Sequence, residues 1–298
     1  MEHASITAAG RRVTLVGRHP AYLRGLDGND ADQGMLARAI AVLPPGSAVF
    51  DVGANIGVTA VAAAAQRPDC RVIAFEPTPS NVECLRRNIQ ANGIDYIEVV
   101  EAAVSDAPGM VTMTDDGPWS HASAAGTLRC RSVVLDDYAS PEVRFIKIDV
   151  EGFEPNVIAG GRRLFGSVRP HVAMEFNTWA LLLHHYDPLV FASTLWSCWD
   201  VDAVYGAETS YAVPATGPDL VHMNLTEHGC VSDLLLRPRD ALPDLATMIE
   251  APACARLRAE LVALECSTCW RVMAPFRSVG RLFRARVSRA GRSPAGPR

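Results

Sequence analysis

The run VFDVGANIGVTAVAAA, residues 49–64, leads from apolar residues through Asp51, Gly53, Asn55 and Gly57 into an alanine-rich stretch. Glycines at 53 and 57 predict a sharp backbone turn that approaches a ligand closely, where a side chain would collide, with a helix N-terminus facing that ligand. In RVIAFEPTPSN, residues 71–81, Glu76 ends the next apolar run and lies 19 residues after Gly57. At this spacing an α/β nucleotide fold offers a carboxylate to both ribose hydroxyls. By itself a strand-ending glutamate is a helix cap or a loop charge; joined to the glycine turn it points to an adenosine ligand. A dinucleotide is the competing ligand, as in an NAD(P)-dependent oxidoreductase. DVGANIG, however, lacks the middle glycine of G-x-G-x-x-G, and Asp51 would repel a pyrophosphate. An acid in that place suits an amino group, such as that of the methionine moiety of S-adenosylmethionine.

A second constellation is IKIDVEGFE, residues 146–154. On a strand, Ile146 and Ile148 share one face and Lys147 and Asp149 the other. Asp149 falls at the carboxyl end, where open α/β sheets bind ligands, with Glu151 on the following turn and Gly152 permitting the bend. The competing reading is that Asp149 and Glu151 only cap the helix beginning near Glu154. A sulfonium methyl is already electrophilic, so the protein must align an acceptor oxygen with it and remove a proton. Asp149, Glu151, Glu175 and His121 are the candidate bases. His121 lies in GPWSHASAAG, where it is either a lid residue reaching the acceptor or an ordinary loop histidine; His184 and His185 read as structural. Asp149 with a neighbouring carboxylate is the place for a divalent metal, but no decisive ligand spacing is present and none is expected.

These residues need a frame that brings them to one edge. From Ser47 onward, apolar runs of strand length alternate with helical stretches, which predicts βαβ units and a parallel sheet. Strands are expected at 48–52, 71–75, 97–101, 144–149 and 171–175, and helices near 57–66, 79–91, 154–165 and 188–197. Pro44, Pro45 and Gly46 separate this domain, 46–237, from an N-terminal extension, 1–45, with a strand at 12–16 and a helix at 32–43. Residues 105–126, rich in Asp, Gly, Pro, Ser and Thr, predict a loop or hairpin of the kind that acts as a lid. VDAVYG at 201–206 and a segment near 219–223 are expected to complete the sheet edge. Residues 238–298 comprise a linker to 250, a helix over 251–270 and a basic tail.

DVGANIG, AFEPTPSNVECLRRNIQANG, AVSD at 103–106, LDDY at 135–138, FIKIDVEGFEPNVIAGG and HVAMEF follow one another over residues 47–178. In this order they resemble the FkbM-type methyltransferase family, IKIDVEGFE being the most specific. The resemblance implies a Rossmann-like class I methyltransferase fold, a mostly parallel seven-stranded sheet with helices on both faces. It implies S-adenosyl-L-methionine as cofactor, held by Asp51, Gly53, Asn55, Gly57, Glu76, Ser105, Asp106 and Asp149. It also implies methyl transfer to a hydroxyl of a sugar, glycan or related small-molecule acceptor. The alternative from another class is a nucleotide-fold binding or scaffolding protein that keeps the pocket without transferring; intact Asp51, Gly53, Gly57, Glu76 and Asp149 argue against such decay.

Composition bounds the rest. Hydrophobic residues at 49% and charged residues at 20% describe a folding chain rather than a disordered one. The eight cysteines are scattered through apolar segments, as reduced thiols are, and Cys266 and Cys269 lack the further ligands of a zinc site. No basic start, apolar leader or run of 18 apolar residues is present, which predicts a cytoplasmic chain. Residues 271–298 hold eight arginines and no acid, against 20 basic and 33 acidic side chains before them. LECSTCWRVMAPFRSVGRLFR, residues 264–284, resembles the S-x-S-W-R-x-T-x-P-L-R segment of some bacterial enzymes of cell-surface polysaccharide synthesis, with Cys269, Met273 and Phe276 departing from it. Its apolar residues among arginines suit a peripheral helix on an anionic membrane or acidic partner; a solvated terminus is the plain alternative. The acidic body carries no basic-aromatic module for nucleic acid.

Overall fold

The computed structural model describes residues 1–31, 34–123, 125–206 and 210–239, all within one compact unit, Met1–Ala251. The expected helix at 251–270, the basic tail, Cys254, Cys266, Cys269 and nearly all of the linker lie outside the described residues.

The chain opens with a hairpin, β1 (Glu2–Ala8) and β2 (Arg11–Gly17), joined by Ala9 and Gly10, both at positive φ. Such a two-residue turn matches the twist of its strands. Ala4, Ile6 and Ala8 of β1 are buried opposite Val13 and Leu15 of β2. The first strand escapes a sequence reading because two of its three inward residues are alanines, which give a weak alternation. Helix α1 (Pro20–Leu26) is likewise additional, and α2 (Met35–Ala41) ends two residues before the expected helix, 32–43, does, with 32 and 33 outside the described residues. The hairpin docks on the main body through two asparagines. Asn88 exchanges hydrogen bonds with the backbone of Val16 (2.6 and 3.1 Å), and Asn92 with that of Thr14 (2.9 and 2.8 Å). These amides stand in for a neighbouring strand.

The α/β body follows as β3 (Ala48–Val52), α3 (Val58–Gln66), β4 (Arg71–Phe75), α4 (Pro79–Ala91) and β5 (Ile97–Val100). Residues 103–133 form a small separate sheet of β6 (Ala103–Val104), β7 (Gly109–Met113) and β8 (Leu128–Val133). The stretch expected as loop or hairpin is therefore a hairpin with a long tip. The main sheet resumes with β9 (Val143–Ile148), α5 (Glu154–Gly160), β10 (His171–Asn177), α6 (Thr178–Leu183), α7 (Pro188–Cys198), β11 (Trp199–Tyr205), β12 (Ser210–Tyr211), α8 (Gly217–Thr226) and β13 (Val231–Pro238).

The main sheet runs β12-β11-β13-β10-β9-β3-β4-β5, with β10, β9, β3, β4 and β5 parallel and β13 antiparallel to both its neighbours. The segment near 219–223 is not an edge strand. Thr216 accepts a hydrogen bond from the Asp219 amide (3.3 Å), Pro218 opens the first turn, and Leu220, Val221 and Asn224 are buried at helical spacing. An N-cap and an N-terminal proline thus make this apolar segment the start of α8, and the inserted strand is β13.

All five residues of β3 are buried, as befits a parallel strand covered on both faces. Phe50, Val52, Ile146 and Ile148 join the core that includes Val157, Ile158 and Leu195 on one face. Val49, Phe145 and Ala173 join the other, with the alanines of α3 and the buried side of the hairpin. Each fully buried large side chain contributes roughly 1.5–3 kcal/mol. The result is a rigid sheet whose carboxyl edge carries the chemistry.

Candidate active site

The turn after β3 is shaped by packing within the chain. Gly53 has φ +80, and a Cβ there would stand 1.9 Å from the Asp149 carbonyl oxygen; Gly57 has φ +88, and its Cβ would stand 2.3 Å from Leu85 Cδ1. Both positions require glycine because β9 and α4 press against the turn, which replaces ligand approach as the reason. Gly53 still borders both cavities of the site, whereas Gly57 borders neither. Asn55 adopts a left-handed conformation at φ 54, which asparagine tolerates.

Two cavities meet at the carboxyl ends of β3, β9 and β10. The smaller, about 170 Å³, runs past Glu76, Phe75, Asn81 and Met113. The larger, about 720 Å³, passes between α2, α3 and the β10–β13 side of the sheet, along Lys147, Gln66, Tyr205 and Asp233. Tyr22, Gly53, Asn55, Asp149 and Glu175 border both.

Glu76, 5% exposed, ends β4 on the smaller cavity. Its Oε2 accepts from the Asn55 amide (2.8 Å), and its Oε1 from the Thr78 amide (2.9 Å) and Asn81 Nδ2 (3.3 Å). Burial raises its pKa, and these donors oppose the rise. A carboxylate has about four acceptor positions, so one remains beside the three used here. Over Glu76 lies the tip of the β7–β8 hairpin. Asn55 Nδ2 donates to the Pro118 carbonyl (2.9 Å) and Asn81 Nδ2 to that of Gly117 (3.0 Å). Trp119 meets the rings of His19 and Tyr22 edge-on at 5.8 and 6.1 Å.

Asp51 occupies a different place from the one expected. It is 1% exposed and borders neither cavity. In the β3–β9 register it pairs with Lys147, so both side chains leave the same face, and Lys147 Nζ lies 3.5 Å from Asp51 Oδ1. The cation beside Asp51 is thus Lys147. Lys147 Nζ also lies 3.1 Å from Asp149 Oδ2 and donates to the Gly53 carbonyl (3.4 Å). Burial works against its charge, but Asp149 and Asp51 outweigh that and raise its pKa. Burial raises the pKa of Asp51, and Lys147 counters it.

Asp149, 40% exposed at its side chain, stands at the end of β9. Glu151 follows on a turn at φ +56, whose Val150 and Gly152 amides donate to Glu154 Oε1 (3.1 and 3.2 Å). Glu154 is fully buried, and burial pushes its pKa up to about 8. Glu175 reaches the same point from β10. Burial and then the charges of Asp149, Glu151 and Glu154 raise its pKa well above the carboxylate range. Ligand oxygens of Asp149, Glu151 and Glu175 lie within 4.8 Å of one another. Asp233, opposite Glu175 in the β10–β13 register, has its pKa pushed up to about 6, chiefly by burial.

Besides Asp51 and Gly57, three further expected residues are not brought here. Ser105 and Asp106 border neither cavity; Ser105 Oγ donates to Asp106 (2.8 Å), Asn156 Nδ2 does so too (3.2 Å), and the Ser105 carbonyl packs against Gly160. The chain turns away after Val104 to dock on α5. His121 also borders neither cavity. Its Nδ1 faces the Trp119 carbonyl (3.2 Å) and Thr114 Oγ1 (3.3 Å), and its ring meets that of His184 at 6.2 Å. Conversely, Lys147, Tyr22, Asn81, Trp119 and Asp233 are site residues that the sequence did not single out. Only Lys147 carried a signal, as the one lysine of the chain, set between Ile146 and Ile148 on a strand.

The arrangement fits S-adenosylmethionine. A buried carboxylate with an acceptor position to spare borders the smaller cavity, and the carboxylate-rich junction complements a sulfonium and an ammonium.

The family model described as the methyltransferase FkbM domain matches residues 51–189. Over 72 residues the chain is 43% identical to 31-O-demethyl-FK506 methyltransferase FkbM of Streptomyces tacrolimicus, covering 24% of this chain and 27% of that protein. Over 151 residues it is 27% identical to the 2-O-methyltransferase NoeI of Sinorhizobium fredii (strain NBRC 101917 / NGR234), covering 42% and 61%. The chain thus spans less than two thirds of either relative. Among solved structures, a methyltransferase FkbM from Methylobacillus flagellatus KT aligns at TM-score 0.35 and 23% identity, over 44% of this chain and 33% of that one. Residues 51–189 thus carry an FkbM-type methyltransferase domain, with S-adenosylmethionine as its cofactor.

Proposed function

We propose that this chain transfers the methyl group of S-adenosylmethionine to a hydroxyl oxygen of a sugar, glycan or similar small-molecule acceptor. The observation that carries this reading is the group of Asp149, Glu151 and Glu175 where the smaller cavity opens into the larger. Both named relatives have oxygen-directed transfer in their names, which supports the choice of a hydroxyl.

The cofactor supplies an electrophilic methyl on sulfur. Glu76 holds the adenosine end through a ribose hydroxyl, and the 117–119 tip covers it. Lys147 fixes Asp149 at the junction. The acceptor oxygen forms its bond to the methyl carbon as the carbon–sulfur bond breaks with its electron pair going to sulfur, and the hydroxyl proton passes to the carboxylate group. The larger cavity, lined by Tyr22, Tyr205 and Ser210, seats the acceptor.

Comparing small molecules and surface glycans by mass from cells with and without the gene identifies the acceptor by its added methyl. With that acceptor, Asp149→Asn should slow single-turnover transfer by about 100- to 10,000-fold, the usual contribution of a general base or its partner. Cofactor affinity should fall far less than the rate, and His121→Ala should stay close to the parent rate. Near-normal transfer by Asp149→Asn would place the reacting centre elsewhere.

A further inference from the structure

We propose that Asp149, Glu151 and Glu175 hold one divalent cation of the oxygen-preferring class, Mg²⁺, Mn²⁺ or Ca²⁺, at the junction of the two cavities. Three segments supply the donors: the end of β9, the turn after it, and β10. Each can offer one carboxylate oxygen with all three atoms within 4.8 Å of one another, the spread of ligands around a single ion. The set contains neither nitrogen nor sulfur, which selects hard cations over zinc or copper.

The second observation concerns Glu175 itself. Its Oε2 is shut off from solvent and has no hydrogen-bond partner. A carboxylate oxygen so placed lacks both water and a donor, and a cation between it and its two neighbours satisfies it. Lys147 does not fill that role, since its contacts are Asp51, Asp149 Oδ2 and the Gly53 carbonyl. The second oxygen of Asp149 therefore remains for the ion. All three residues are half-buried, and the two cavities leave coordination positions open to water or to acceptor oxygens. Mg²⁺ and Mn²⁺ keep such positions when only a few carboxylates bind them.

The consequence for catalysis rests on the proposed hydroxyl transfer: the cluster would then act through the ion, which would polarise the acceptor hydroxyl so that its proton passes to water in the open cavity instead of directly to a carboxylate. The test is independent of that chemistry. The full chain is stripped with a chelator and titrated with Mn²⁺, with and without S-adenosylhomocysteine, while free Mn²⁺ is followed by electron paramagnetic resonance. One ion should bind per chain. Glu175→Gln and Glu151→Gln should each weaken binding by about tenfold or more, as loss of a charged ligand does, whereas Asp202→Asn on β11 should not. Circular dichroism and a melting curve establish which variants are folded; Glu151, on the turn, serves if Glu175→Gln fails. No saturable binding up to millimolar Mn²⁺ overturns the proposal, as does undiminished binding in either folded variant. Mn²⁺ binding without methyl transfer would uphold the ion site and sink the transfer reading, and the reverse result would do the opposite.

Discussion

Lys147 organises the site by touching three of the residues expected to hold the cofactor, Asp51, Gly53 and Asp149. Carboxylates of Asp51, Asp149, Glu151, Glu175 and Asp233 gather at the sheet edge, and the lysine ties Asp51, sealed beneath the turn, to Asp149, open at the junction. Removing one partner of a buried pair leaves the other charge without compensation, at a cost of about 3–5 kcal/mol. Lys147→Met should therefore lower stability in urea by about 3 kcal/mol, the lower end of that range, because Asp51 can take up a proton and relieve part of the loss. A variant as stable as the parent would show that the pair does not support the fold. Glu76 makes a different prediction. It is already oriented by three donors and borders the smaller cavity, so truncation removes the acceptor proposed to meet the ribose. Glu76→Ala should weaken S-adenosylhomocysteine binding by roughly 1.5–3 kcal/mol in calorimetry, the scale of charge-assisted hydrogen bonds. Unchanged affinity would mean that the ribose lies elsewhere.

Among the elements, the β7–β8 hairpin has the most to do with access. Its tip lies over Glu76 through hydrogen bonds from Asn55 and Asn81 to two of its carbonyls, and Trp119, 43% exposed, leans on His19 and Tyr22. One of these hydrogen bonds is buried and the other partly so, but the contacts are few, as in a segment that opens and closes. Gly117, at φ +61, sits so close to His19 that a Cβ would stand 2.0 Å from its Nε2. Gly117→Ala should displace the tip and speed both association and dissociation of S-adenosylhomocysteine in stopped-flow fluorescence. Trp119→Phe should remove most of that signal. Parent-like rates in Gly117→Ala would make the tip a fixed wall.

For the whole molecule, charge separates a body from a tail. Residues 1–270 carry 20 basic and 33 acidic side chains, whereas 271–298 carry eight arginines and no acid. Among the described residues no helix is long and apolar enough to cross a membrane. The described elements close a hydrophobic core on both faces of the sheet. Deleting 271–298 should leave cooperative unfolding and cofactor affinity intact; if the tail is a peripheral basic anchor, the deletion should also abolish sedimentation with anionic vesicles. Equal pelleting of both forms would make the tail a bystander, and an insoluble truncated form would make it part of the core.

What the amino-acid order determined by itself was local. Runs of buried β-branched and aromatic residues alternating with helical stretches specified the parallel strands, and the DVGANIG turn, Glu76 and Asp149 marked the ends of three of them. Short-range periodicity suffices for this because it depends on neighbours a few positions away. The tertiary structure decided everything that depends on which strand lies beside which. Asp51 meets Lys147 only because β3 and β9 pair in one register, and Glu175 reaches Asp149 only because β10 lies on the other side of β9. The same packing turns Ser105, Asp106 and His121 away from the cavities, and it explains Gly53 and Gly57 by Asp149 and Leu85 rather than by a ligand. It also makes 219–223 a helix, since capping and burial against neighbours override an apolar run too short to choose its own conformation.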